Sequence, residues 1–256
     1  MSLLTIIQNV CAEISIDQPA AVMSSADPKI IQLRVLSYRA GYALARDHDW
    51  SFLVTPTSFA ATGVIPEPAQ PPPDFERFED NAKIWNNSRL LSLNGPVDGQ
   101  TWQRLQIYNS NPVPQVWRML GGKLAIYPNV AGETISYEYI SSSWVNVNGA
   151  GTAFAGNWAN DNDTSRISEA LLELSLIWRW KRAKGLDYSE EMENFERAKE
   201  SEIGSDRAAA AASLSMPNRG DYPDNMWSGY VGGGIPDNAL AGDADNGVVI
   251  LTGDVS

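Results

Sequence analysis

The side chains that most often do chemistry are scarce in this chain. Among 256 residues there is a single Cys, Cys11, and a single His, His48. A zinc site built from Cys and His needs several such ligands, and one imidazole leaves no multi-His centre. A lone cysteine also forbids an intrachain disulfide, so nothing marks an oxidising compartment. A Ser-His-Asp arrangement can be assembled on paper around His48. Its place between Asp47, Asp49 and Trp50, at the end of a helical stretch, reads more simply as a cap or an edge-packing residue. Asp161, Asp163 and Ser165 have the spacing of the first calcium-loop ligands, but Arg166 stands where Gly is needed and Leu172 where Glu is needed. Asp163 with Thr164 therefore reads as a helix cap. Asp243-Ala244-Asp245-Asn246-Gly247 likewise lacks a closing Glu. Gly149-Ala150-Gly151 has no third Gly in a strand-to-helix context, and no Gly-x-x-x-x-Gly-Lys sequence occurs. The 31 acidic residues include no local pair that stands apart. The residues point to no catalytic group, no metal and no cofactor.

With no reactive group singled out by the residues, the pattern along the chain defines elements and the surfaces they carry. Four stretches have a helical period. Leu3, Ile7, Val10 and Ile14 recur at steps of 4, 3 and 4 and make one apolar stripe. Asp27-Pro28 opens a second helix with a cap residue and a first-turn proline, and its expected core stripe is Ile31, Val35, Tyr38, Tyr42 and Ala45. A third stretch carries Ile167, Leu171, Leu174 and Trp178 and ends in Lys181, Arg182, Lys184 and Gly185, cations and glycine suited to a helix C-terminus. Asp187 with Glu190 makes a capping-box-like start for a fourth, through Met192 and Phe195, which Gly204 should bend or interrupt before Ala208–Ala212. Trp180 lies two residues beyond Trp178 and so faces away from that stripe, which makes it a candidate anchor for the inserted segment or a neighbouring subunit.

Residues 51–160 differ. Pro66, Pro68, Pro71, Pro72 and Pro73 forbid helix and suit an extended loop. Lys123–Tyr127 and Thr134–Tyr139 then alternate, punctuated by Gly121-Gly122 and Gly132, as hairpins do. The expected fold is α+β: a four-helix bundle from 1–50 plus 161–213, an inserted β-rich domain over 51–160, and an extended acidic tail over 214–256. That tail has six aspartates against a single arginine, a composition that cannot build its own core. Tyr222, Trp227, Tyr230, Ile235, Val248, Val249, Ile250 and Leu251 punctuate it as apolar anchors, for a partner or for its own domain.

The net charge of −12 argues against a sequence-independent grip on nucleic acid, which needs clustered Lys and Arg. No run of 18 apolar residues spans a membrane, and the start, MSLLTIIQNVCAEIS, lacks the basic region and cleavage site of a signal peptide. The expectation is a soluble product assembled inside a cell.

Several segments resemble the head-to-tail adaptor proteins of short-tailed and some other tailed phages. They are Leu4–Val10 through Glu13-Ile14, Arg39–Trp50 (RAGYALARDHDW), Lys83–Asn86, Gly95-Pro96 with Trp102, Leu120–Pro128, Ile135–Ile140 leading to Trp144, and Leu171–Ala198 (LLELSLIWRWKRAKGLDYSEEMENFERA). The resemblance covers about residues 1–205 and rests on the order of structural segments. It implies a virion structural protein, not an enzyme: a self-assembled ring, usually of twelve copies, joining the portal protein to the tail or nozzle protein. DNA would pass through its channel without sequence-specific binding, and assembly would occur in the host cytoplasm. Other readings are a tail terminator or stopper-like ring, or, from a different class, a carboxylate-dependent cell-wall hydrolase.

Overall fold

A computed structural model describes residues 1–214 apart from 80, 81 and 113, with side chains of the last helix described to Arg207. Helix α1 (Leu3–Glu13) begins at Ser2, whose hydroxyl accepts the Thr5 N–H, and buries Leu3, Ile6, Ile7, Val10 and Cys11. Helix α2 (Pro28–Asp47) begins as expected: Asp27 accepts the Lys29 N–H and Pro28 takes the first helical position.

The middle of the chain is strand-rich. β1 (Val54–Ala60), β2 (Phe75–Arg77), β3 (Trp85–Asn86) and β4 (Leu91–Ser92) precede helix α3 (Gly99–Ile107). Periodicity did not flag α3; Asp98 starts it by accepting the N–H groups of Gln100 and Thr101. β5 (Val116–Leu120) and β6 (Lys123–Tyr127) form the hairpin announced by Gly121-Gly122, both of which take positive φ, 59° and 76°. β7 (Thr134–Ser141) is central. It pairs antiparallel with β1 from Val54↔Ile140 to Ala60↔Thr134, and also with β2 and β3. Its inward residues Ile135, Tyr137 and Tyr139 are buried, as their alternation requires. They meet Ile84, Trp117, Leu124 and Ile126 in one apolar cluster. β8 (Val145–Asn146), β9 (Phe154–Ala155) and β10 (Thr164–Ser165) make a small three-stranded sheet.

Helix α4 (Glu169–Lys184) ends at Gly185 in the left-handed conformation, φ 70°, after Lys181, Arg182 and Lys184. Asp187 accepts both the N–H and the hydroxyl of Ser189 at the start of helix α5 (Ser189–Leu214). Gly204 does not interrupt α5, which runs through it. The fold is thus mixed α and β, with five helices and antiparallel sheets among the described residues. Met1–Ala210 form one compact unit. Within it α1, α2, α4 and α5 give side chains to one core that also holds Trp50, Trp144 and Trp158.

The rotation of α2 departs from expectation. Its buried face is Ile30, Leu33, Ser37, Ala40, Gly41, Leu44 and Ala45, while Ile31, Val35, Tyr38 and Tyr42 point outward. The helix is apolar on two sides, and the side with small residues is the one that fits inward. A Cβ at Gly41 would lie 2.1 Å from the Trp144 Cη2, so the Trp144 ring lies flush on the α2 backbone. Trp144 is fully buried, and its indole N–H has no acceptor among the described residues, so packing rather than a hydrogen bond seats the ring. Gly41→Ala is expected to cost roughly 2 kcal/mol through overpacking, read as a lowered urea midpoint at unchanged slope.

Candidate functional site

His48 and Ser51 flank the end of α2, and both reach Asp206 on α5. The His48 Nε2 lies 3.1 Å from one Asp206 oxygen, and the Ser51 hydroxyl donates to the other at 2.5 Å. The Ser51 N–H donates to the same carboxylate at 3.1 Å. A nucleophilic serine needs the imidazole beside it and the carboxylate behind. Here the carboxylate sits in the middle, so the Ser51 hydroxyl donates its hydrogen bond to Asp206 rather than to the imidazole, and the arrangement is a clasp. Beside it the Arg77 guanidinium donates to Asp49 at 2.6 Å and to the His48 carbonyl. The cluster ties α2, β2 and α5 together.

The calcium-like spacing resolves similarly. Asp161 accepts the N–H groups of Val22 and Met23. Asp163 is not a helix cap: α4 starts at Glu169 after Ser168, and Asp163 is buried beneath the loop before it. Its carboxylate accepts the N–H groups of Asn148, Ala159 and Asn160 at 2.7 to 2.9 Å. Burial pushes this carboxyl up, but those donors outweigh it and hold the group below the ordinary carboxylate range. Two further carboxylates, the buried Glu67 and the half-buried Asp74, also serve as hydrogen-bond acceptors. Glu67 takes the Thr62 N–H and hydroxyl, and Asp74 takes the Tyr139 phenol and the Ser141 hydroxyl. Burial pushes the Tyr137 and Tyr139 phenols up, keeping them neutral donors. Among the described residues no three His, Cys, Asp or Glu side chains converge as a metal site, and no helix is long and apolar enough to cross a membrane.

What the chain offers is surface. Ile31, Val35, Tyr38 and Tyr42 are each 36 to 43% exposed along α2. A groove of about 480 Å³ runs beside Tyr38 and Tyr42, walled by Ala155, Gly156, Asn157 and Trp158. A smaller one, about 190 Å³, continues past Val35 to Met23 and Arg34. Cations border this face. Between Pro28 and Arg46 α2 carries Lys29, Arg34, Arg39 and Arg46 and no acid. Burial pushes the Arg179 guanidinium of α4 down, and the like charges of Arg182 and Arg39 add to that. None of these three arginines has an ion-pair partner among the described residues. A second exposed apolar site is the β3–β4 turn, where Leu90 is 82% exposed at φ 58°, next to exposed Trp85 and Leu91.

Of the anchors expected from sequence, Tyr222, Trp227, Tyr230, Ile235, Val248, Val249, Ile250 and Leu251 lie outside the described residues. Trp180 packs in the helical core of its own chain, with the Lys184 ammonium 4.4 Å over its ring. It is therefore not exposed for a neighbour. The α2 stripe was legible as a period but assigned to the wrong side. The signal for its true direction was the run Ser37, Ala40, Gly41, small residues opposite the aromatic ones.

A mixed α and β module with internally consumed polar groups and open apolar faces defines a protein of assembly. The chain matches the SU10 adaptor protein family over residues 1–221 and belongs to it, a family of phage head-tail adaptors. It is a bacteriophage structural protein, a component of the virion. No curated protein matches it.

Asp163→Ala should cost roughly 3 kcal/mol, because several buried N–H donors lose their acceptor together. The folded-state pKa of Asp163 is depressed, so its stabilisation is complete above the unfolded value of about 3.9 and is lost as pH falls through the folded value. Stability curves of wild type and variant should converge in acid; a gap constant with pH would contradict the assignment.

Proposed function

We propose that this chain forms a ring at the head–tail junction, docked beneath the portal and carrying the tail or nozzle below. The ring number is twelve, and the centre is a channel for DNA during packaging and ejection. Membership of the adaptor family over residues 1–221 supports the location. The outward apolar stripe of α2 is the observation that carries the assembly reading, since a folded monomer gains nothing from four exposed apolar residues in register on one helix.

The charge suits the channel. At −12 per chain, twelve copies hold on the order of −144 formal charges, which repel the phosphates of passing DNA and keep it from sticking. An image of the ring with a lumen lined mainly by Lys and Arg would overturn this part. The organisation that serves it is a helical bundle over 1–50 and 161–213, a β-rich insertion over 51–160, and a tail over 214–256 whose Tyr222, Trp227, Tyr230 and Val248–Leu251 bind the portal or a neighbouring adaptor. Aromatic residues are the usual anchors of such contacts.

Deleting residues 214–256 should leave far-ultraviolet dichroism and the melting of the remaining chain essentially unchanged while abolishing co-sedimentation with the portal. Portal binding at wild-type yield by the truncated chain would show that the tail is not the anchor.

A further inference from the structure

The outward stripe of α2 has the geometry of a helix–helix seam. Ile31, Val35, Tyr38 and Tyr42 follow one another at steps of 4, 3 and 4, the spacing that keeps one edge of a helix against a partner helix. The chain's own α5 does not lie on this edge. It meets α2 at Asp47, which pairs with Lys199 at 2.9 Å and lies roughly 150° around the helix from the stripe. No described helix of this chain is thus shown to cover the stripe.

The charge of an occupant follows from the border. Arg39 follows Tyr38 at the edge of the stripe, in a helix with four cations and no acid before Asp47, and Arg182 of α4 joins it in a cationic group around Arg179. A complementary surface exists on this same chain. From Ser189 to Arg207, α5 carries seven acidic side chains against three basic ones. It buries Phe195, and turns Glu190, Glu193 and Glu200 outward, all exposed. Two cations share that side: Arg197, paired with Glu193 at 2.9 Å, and Arg207, about two turns beyond Glu200 near the end of the face.

We propose that the outward face of α2 is the contact between neighbouring copies of this chain, taking the acidic outer face of α5 from the next copy. This rests on the ring reading given above and deepens it by naming the two faces. They are different patches of one chain pointing in different directions, so the contact is heterologous and propagates head to tail, as a closed ring requires. The apolar stripe supplies the area, and the opposed charges set the direction of packing and exclude the reverse pairing.

The test is a charge exchange on the full-length chain assembled with its portal, with copies per complex counted by mass photometry. All four positions are exposed, so each variant should keep its melting temperature. Arg39→Glu with Arg182→Glu should raise the concentration needed for ring assembly by at least about tenfold, since like charges then face each other. Glu193→Arg with Glu200→Arg should do the same. Combining all four changes in one chain should restore assembly, because the opposed signs return. Assembly that ignores the reversals overturns the docking while leaving the ring standing. Losses that the combined chain does not regain also overturn it and assign the α2 face to the portal or to residues 215–256. Failure of the unaltered chain to form any multi-copy complex overturns the ring reading, and the docking with it.

Discussion

The close approach of Trp144 to Gly41 fixes how α2 sits, and much of the molecule's surface follows. The indole lies on the α2 backbone where no side chain intervenes. Its other edge meets Trp158 at 4.9 Å and 86°, and the Trp144 carbonyl accepts the Arg166 N–H. One residue just after β7 thus couples the sheet, the loop before α4 and the second helix. With that face of α2 turned inward, Tyr38 and Tyr42 have to point out. An interior this dense leaves no freedom to rotate the helix by a fraction of a turn.

The polar interior has a related logic. Loops that carry little regular structure must still satisfy their backbone donors, and buried or half-buried carboxylates do it here. Asp163 gathers three N–H groups from the 148–160 loop, Asp161 fixes the segment ahead of α2, and Asp206 clasps α5 to the end of α2. Each of these carboxylates accepts from at least two donors and so ties separate segments of the chain together.

Much of this was legible beforehand. The alternation of Thr134–Tyr139 and the paired glycines at 121 and 122 located the strands, since a period of two and positive φ have few other causes. The basic run to Gly185 marked the end of α4 for an equally local reason. Helix α3 escaped because its signal is a short cap at Asp98 inside proline-rich surroundings, and nine residues hold too few turns for a period to show. Gly204 misled in the other direction: in a 26-residue helix, a single glycine costs about 1 kcal/mol, too little to stop it.

Sequence by itself determined the kind of protein: an acidic chain with one Cys and one His, helices around a strand-rich segment, no metal or phosphate motif, and an ordered series of segments resembling an adaptor. Those properties are local or additive along the chain, so they can be read without coordinates. Only the tertiary structure decided which side of α2 faces the core, that Asp163 and Asp206 are anchors, and that Trp180 is spent inside. An apolar period states that a face must be covered. It does not state by what, because that depends on which distant residue, here Trp144, arrives to cover it.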